Sequence, residues 1–230
     1  NYNINKHQGR RNMRRRKKLI IAILLVILIG LIAVIAGELF LPHDNELAQG
    51  SKNILVCAID ESEPRPGMGA CDMAFIVSLQ DGELVNYTEI YPHGMTHPNA
   101  SEPQEAQEQG AGEKLLLHDS FWDNDTKKSM QLAKEIVEYN TSENIDAVVA
   151  VNSEALDAIL KSAGTLDVNG TQMNASGIDI IREEQYTGGQ TRGAAVMDIV
   201  KAAGHAASDP FKKAEMVNAA LDQYSKGNIV

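Results

Sequence analysis

Three arginines stand apart from the other basic residues of this 230-residue chain. Arg65, Arg182 and Arg192 are its only arginines beyond residue 16, and each lies in a stretch that contains glycine or proline. A planar guanidinium can bind phosphate or carboxylate through two parallel hydrogen bonds, which the lysine ammonium cannot do. If the three side chains converge, they predict a site for an anionic ligand. If they do not, each is an ordinary surface ion pair.

Four acidic residues flank the loop that contains Arg65, namely Asp60, Glu61, Glu63 and Asp72. Apolar runs of strand length border this loop, and α/β domains commonly bind ligands where strands end. Carboxylates in such a position can hold Mg²⁺ through one or two oxygens, together with waters and substrate phosphates. The alternative is that they are solvated acids on the surface of an acidic protein.

Other motifs in the sequence are less informative. The glycine-bearing stretches at residues 64–69 and 188–193 match neither a P-loop nor a dinucleotide-binding fingerprint. His93 and His97 are four residues apart, but the prolines beside them argue against one helical face that binds a metal. A Gly-x-Ser-x-Gly nucleophile motif is absent from the sequence.

Apolar periodicity and turn signals predict the elements that position these residues. Residues 92–112, with three prolines, are expected to form a loop or lid, and Cys57 is expected to be a buried thiol. Strands are predicted at 53–59, 72–79, 83–91, 145–151 and 165–169, helices at 126–139, 153–160, 178–184, 191–207 and 210–224, and the start of a further strand at 228–230. Strands that alternate with helices predict a layered α/β/α domain with a mixed central sheet.

A membrane anchor is predicted near the N-terminus. Residues 19–37 contain no charged side chain and follow five consecutive basic residues at 14–18. A helix of this length spans a bilayer, and the basic cluster is expected to stay on the cytoplasmic side. The predicted organisation is a cytoplasmic tail at 1–18, a transmembrane helix at 19–37, a linker at 38–52 and an extracytoplasmic domain at 53–230. The alternative is a cleaved secretory signal, although its apolar region would be unusually long.

The charge of the predicted outer domain excludes one class of function. Of the 21 Lys and Arg, eight lie in the first 18 residues, which leaves 13 against all 31 Asp and Glu, a net charge of −18. A field of this sign repels nucleic acid, so we exclude DNA or RNA as a partner.

Six Asn-x-Ser/Thr sequons lie beyond the predicted anchor. On an exported face they predict Asn-linked glycosylation. The alternative is simple asparagine richness in loops. The sequons begin at Asn86, Asn99, Asn124, Asn140, Asn169 and Asn174.

The order of these features resembles the LytR-CpsA-Psr domain family, through a divergent archaeal branch of membrane-anchored proteins. Residues 53–60 resemble the family's first strand, which ends in Asp, and residues 71–79 resemble its Ser-Asp strand. Residues 145–164 are similar to a further stretch of the family, and Arg182 and Arg192 stand where it has arginines before its final helices.

The resemblance implies a function at the cell envelope. Members of the family transfer glycopolymers from a polyprenyl-pyrophosphate carrier to the cell wall, with arginines on the pyrophosphate and Asp with Mg²⁺. It implies that Asp60 and Asp72 serve as metal or acid–base carboxylates. It also implies that Arg182 and Arg192 bind the pyrophosphate. Arg65 is a further candidate ligand, although its Pro-Gly loop has no clear counterpart in the family.

The sequence departs from the family at two points. An arginine is expected just after the third strand, where this chain has His93, and another before Asp72. Lys114 is a partial substitute for this lost positive charge. Two hypotheses follow: a transferase or hydrolase of lipid-pyrophosphate-linked glycans, and a non-catalytic ectodomain that binds an anionic envelope lipid or polymer or scaffolds envelope assembly.

Overall fold

The computed structural model describes residues 49–63, 65–81, 83–168, 170–173, 198–199 and 202–230. The predicted anchor at 19–37, the helices expected at 178–184 and over most of 191–207, and the site residues Arg182 and Arg192 lie outside these residues. Within the described part, no helix combines the length and the apolarity needed to span a bilayer.

A four-stranded mixed sheet is the centre of the domain. Its strands are β1 (Ser51–Asp60), β2 (Ala70–Gln80), β3 (Glu83–Ile90) and β6 (Ala147–Asn152), in the order β3-β2-β1-β6. β2 pairs antiparallel with β1 and β3, whereas β6 pairs parallel with β1. The predicted mixed sheet is confirmed. Residues 228–230 exchange backbone hydrogen bonds with β6, at 2.9 and 3.0 Å between Ala150 and Val230.

Side chains of β1 alternate between two hydrophobic layers, as expected for a strand buried on both faces. Ile54 and Ala58 belong to one core cluster, and Leu55, Cys57 and Ile59 belong to the other. Cys57 is a buried free thiol, as predicted.

Helices cover both faces of the sheet. α2 (Thr126–Thr141) contributes Ala133, Ile136 and Val137 to the cluster that contains Leu55. On the opposite face lie α3 (Ser153–Ala163) and α4 (Pro210–Ser225), together with residues 202–206, which are helical. The domain is therefore the layered α/β/α fold that the sequence predicts.

Polar side chains cap the N-termini of α3 and α4. Asp209 accepts hydrogen bonds from the backbone of Phe211 and Lys212 at the start of α4, with Pro210 at the first helical position. α3 begins at Ser153, as predicted, and the side chain of Asn152 caps it by accepting from the Ala155 N–H. The Ser153 hydroxyl and N–H donate to the Glu61 carboxylate.

The stretch predicted as a loop at 92–112 is largely structured. It contains a 3-10 turn (Pro92–Gly94), β4 (Thr96–Ser101) and the short helix α1 (Gln104–Glu108), and β4 pairs with β5 (Lys114–Leu116). The prolines are compatible with this, since one opens the 3-10 turn and one precedes α1. A second 3-10 turn (Leu117–Asp119) follows β5, and a hairpin of β7 (Leu166–Val168) and β8 (Thr171–Met173) follows α3.

Gly67 anchors the loop between β1 and β2. Its N–H donates to the carbonyl of Trp122 at 2.8 Å, and a Cβ at this position would lie 2.8 Å from that same oxygen and closer still to two neighbouring carbonyls. No side chain could rotate away to relieve this contact, because the crowding atoms are all backbone.

We expect Gly67→Ala to lower the free energy of unfolding by about 2 kcal/mol or more, since the loop must move away from residues 121–123. Gly112→Ala is the control, because a Cβ there meets nothing within 4 Å. It should change stability by less than about 0.5 kcal/mol. Urea unfolding monitored by circular dichroism compares the two; equal stabilities would contradict the close approach described here.

Candidate functional site

Asp72 lies at an irregularity of β2, on the face of the sheet that Leu117 and α2 cover. Ala58 pairs with Met73 and Ile59 pairs with Cys71, so Asp72 is the extra residue of a β-bulge. Cys71 and Ala74 lie in the same core cluster as Leu117. Bulges re-aim side chains and often lie next to active sites. Asp72 shares the face of Ala74, two residues further along the strand, and there it meets His118, which follows Leu117.

His118 lies between two carboxylates. Its Nε2 is 3.3 Å from Asp72 Oδ1 and its Nδ1 is 3.2 Å from Asp119 Oδ1. Burial lowers the pKa of His118, but hydrogen bonds to Asp119 and Asp72 outweigh it and raise the pKa to about 9. The imidazole is therefore a cation at neutral pH and donates from both nitrogens.

Arg65 holds this arrangement together from the loop between β1 and β2. Its Nη2 lies 2.7 Å from Asp119 Oδ1 and 2.9 Å from Glu63 Oε2, and its Nη1 donates to the His118 carbonyl at 3.0 Å. The guanidinium also lies over the Trp122 ring, 5.0 Å from its centroid. Only 5% of the side chain is exposed, so Arg65 is a buried structural cation whose hydrogen bonds go largely to the protein.

Asp119 and Glu102 form a second carboxyl pair beneath the imidazole. The hydrogen bond from His118 and the charge of Arg65 overcome burial and keep the pKa of Asp119 below its usual value. Burial, with the nearby Asp119 charge, raises the pKa of Glu102 to about 7, although the Leu116 N–H donates to its Oε1 at 2.7 Å. Glu102 Oε2 is buried and meets no donor among the described residues. A protonated Glu102 satisfies that atom by donating to Asp119.

His93 completes the group. It lies in the 3-10 turn after β3, and its ring stacks on His118 with centroids 4.1 Å apart and planes 29° apart. Burial and the positive His118 lower the pKa of His93, so it is neutral at pH 7. The sequence singled out His93 for its spacing from His97 and as the residue at the position of an expected arginine. His97 lies elsewhere and contacts Glu135 at 2.8 Å.

A cleft of about 590 Å³ lies beside this group. Asp119 belongs both to the cleft wall and to the His118 network. The wall combines apolar and polar side chains and is contributed by Pro66, Ala100, Ser101, Pro103, Glu105, Leu115, Asp119, Ser120, Trp122, Asp123, Asn124, Lys128 and Leu132. Its size is typical of sites for small molecules.

The other residues singled out from the sequence lie around this centre. Asp60 is buried at the end of β1, where its Oδ1 accepts from the Ser62 N–H at 2.9 Å. Lys114 is exposed in β5 and does not line the cleft. The roles expected for Asp60, Asp72, Arg65 and Lys114 in catalysis or pyrophosphate binding stay predictions, as do those of Arg182 and Arg192.

Four of the six sequons lie in the described part. Asn86, Asn99 and Asn124 are exposed. The amide nitrogen of Asn140, in the last turn of α2, donates to the carbonyls of Thr96 at 2.9 Å and Ile136 at 2.7 Å. A glycan at Asn140 would disturb these bonds. Asn169 and Asn174 lie outside the described residues.

The site includes residues that the sequence did not single out, namely His118, Asp119 and Glu102. None belongs to a recognisable motif, and the only signal would have been the acidic and histidine residues on either side of β5.

We expect the pKa of Glu102 to make stability depend on pH. The pKa of Glu102 is about 7 in the folded protein, raised from its ordinary value of 4.5, which we take for the unfolded chain. The folded state therefore gains stability from the protonated Glu102 that is fully present below pH 4.5 and is lost as the pH rises through 7. Glu102→Gln keeps a donor for Asp119 at every pH. It should therefore raise the free energy of unfolding at pH 8 by about 1–2 kcal/mol and have little effect at pH 4.5.

Urea unfolding of Glu102→Gln and the unsubstituted protein at pH 4.5, 6 and 8 measures this difference. Glu105→Gln, on the exposed face of α1, is the matched control and should show no such trend. A difference between Glu102→Gln and the unsubstituted protein that stays constant with pH would show that Glu102 is ionised throughout.

Several solved structures are similar to this chain at low sequence identity. Protein gbs0355 from Streptococcus agalactiae has a TM-score of 0.53 at 13% identity, over 79% of this chain and 68% of that one. The transcriptional regulator yvhJ from Bacillus subtilis has a TM-score of 0.49 at 16% identity, over 79% and 70% of the two chains. The LytR-CPS2A-psr family protein YwtF (TagT), with bound octaprenyl pyrophosphate lipid, has a TM-score of 0.44 at 14% identity, over 70% and 67%.

Among curated proteins, none matches this sequence significantly. One family does match, over residues 49–186, a range that runs from the start of β1 past β8 and contains Asp72, His93, His118 and Arg65. This range is more than half of the chain, and the chain therefore belongs to the family described as protein of unknown function (DUF4012).

Proposed function

We propose that this protein is a membrane-anchored envelope protein that binds a polyprenyl-pyrophosphate-linked glycan and transfers the glycan, with one phosphate, to an acceptor hydroxyl. The anchor at 19–37 would hold the domain on the outer membrane face, where such a lipid presents its pyrophosphate. The observation that carries the proposal is the Asp72–His118–Asp119 chain beside the cleft.

The chemistry of transfer needs a group that takes a proton from the acceptor hydroxyl. Asp72 is suited to this role because its side chain is partly accessible, at 12% exposed, and lies close to the exposed His93. His118 would hold the Asp72 carboxylate in position through the 3.3 Å contact. A positioned carboxylate of this kind contributes about 10²–10⁴-fold to the rate of such reactions.

Charge is the second requirement, since the leaving polyprenyl phosphate carries negative charge that must be stabilised. Two cations lie near Asp72, namely Arg65 and His118. Both already contact carboxylates. Arg182 and Arg192 are therefore the residues we propose for the pyrophosphate, with Lys114 as a weaker candidate. No step is assigned to Mg²⁺, because the groups gathered at Asp72 include two imidazoles, which suit Mg²⁺ poorly.

A second candidate is a binding protein without transfer activity. The pairing of the charges favours this candidate. Arg65 already contacts Asp119 and Glu63, and His118 already contacts Asp72, so neither cation is left for a pyrophosphate. Such a protein would hold the lipid-linked polymer but leave its pyrophosphate bond intact.

The test uses the full chain in detergent with a polyprenyl-pyrophosphate-linked oligosaccharide, and measures bound lipid by mass spectrometry and released polyprenyl phosphate by chromatography. We expect stoichiometric binding and slow release that increases when an acceptor glycan is added. Asp72→Asn should retain the lipid and reduce release about 10²–10⁴-fold. Asp222→Asn, an exposed carboxylate in α4, is the control and should behave as the unsubstituted protein.

An Arg182→Ala, Arg192→Ala double variant should lose the lipid. Binding without release in the unsubstituted protein supports the second candidate. If the unsubstituted protein binds neither the polyprenyl-pyrophosphate lipid nor its glycan-linked form, both candidates fail.

A further inference from the structure

We propose that Asp72, His93 and His118 form a binding site for a divalent transition-metal ion of the Zn²⁺ class. One carboxylate oxygen and one ring nitrogen from each histidine lie within 4.8 Å of one another. Bonds of about 2.0–2.1 Å to such an ion would bring the three ligand atoms to roughly 3–3.5 Å separation. A closing movement of about an ångström is enough, and His93 is exposed and can make it.

The chemistry of these donors determines the kind of metal. Imidazole nitrogen suits Zn²⁺ and the neighbouring first-row ions, whereas Mg²⁺ prefers an all-oxygen octahedron that includes several waters. Two histidines and one carboxylate are a donor set found in zinc and non-haem iron sites. We therefore propose this class of ion for Asp72, whereas Mg²⁺ on Asp60 and Asp72 stays the expectation from the sequence.

His118 is already oriented as a metal ligand. Its Nδ1 faces Asp119 at 3.2 Å, which leaves Nε2, the atom nearer to Asp72, as the metal-binding nitrogen. A carboxylate behind a histidine fixes the ring and its tautomer in many zinc proteins, and losing it commonly costs about 10–100-fold in affinity. Asp119 is itself fixed by Arg65 at 2.7 Å.

The ligands come from three separate parts of the fold. Asp72 comes from the bulge of β2, His93 from the turn after β3 and His118 from the turn after β5. A metal bound here would join these segments. Three protein ligands leave at least one coordination position for water or an anionic oxygen, as in catalytic rather than structural zinc sites. This site does not depend on the proposed lipid substrate.

The test measures metal binding to the full chain by isothermal titration calorimetry with Zn²⁺ alone and with Mg²⁺ alone. Absorption spectra with Co²⁺ report on the coordination. We expect one Zn²⁺ per chain, Mg²⁺ binding at least about 100-fold weaker, and Co²⁺ bands of a four- or five-coordinate site. His93→Gln and Asp72→Asn should each weaken Zn²⁺ binding by about 10–100-fold or more.

His205→Gln is the matched control, since His205 is exposed and outside the group. It should leave the Zn²⁺ affinity unchanged. His93 is itself exposed, so its variant should fold normally, which circular dichroism checks. Any of three results would overturn the proposal. His93→Gln and Asp72→Asn could leave the Zn²⁺ affinity unchanged, or His205→Gln could lower it by the same factor as they do. The third is that Mg²⁺ binds as tightly as Zn²⁺.

Discussion

The buried ion pair between Arg65 and Asp119 ties together the two segments from which the site is built. Burying a charge costs several kcal/mol, which is recovered only when the partners are close and their remaining hydrogen bonds are made. Arg65 meets both conditions, with Asp119 at 2.7 Å, further bonds to Glu63 and the His118 carbonyl, and the Trp122 ring beneath it. The Gly67 N–H bond to the Trp122 carbonyl brings the backbones close enough for this pair to form.

This pair also sets the protonation of its neighbours. Because Asp119 stays ionised, His118 gains a proton and its pKa rises to about 9, while Glu102 holds its own proton up to a pKa of about 7. The ionised Asp119 thus raises the pKa of His118 and adds to the effect of burial on Glu102, whereas the charge of Arg65 lowers both of these pKa values. The metal proposed for His118 Nε2 would replace the proton that faces Asp72.

The side chains observed at the site differ from those that the resemblance to the LytR-CpsA-Psr domain implies. Asp72 lies on the second strand as the resemblance implies, whereas His93 stands where an arginine is expected after the third. That histidine stacks on His118 rather than contributing a permanent positive charge. The described part of the site therefore offers acid–base and metal-binding groups, and fixed cations for a phosphate are expected from Arg182 and Arg192.

The sequence alone determined the layered α/β/α architecture, because its signals are local. The periodicity of apolar residues in β1 and α2 indicates a strand and a helix, and the Asp209-Pro210 pair indicates where α4 begins. The structure contains each of these features. Only the tertiary structure decided the site. His93 and His118 share no motif, and they meet because β4, α1 and β5 fold back between them within a stretch that reads as a proline-rich loop. The contact between Asp72 and His118 joins β2 to the turn after β5, and no pattern within either segment specifies that they meet.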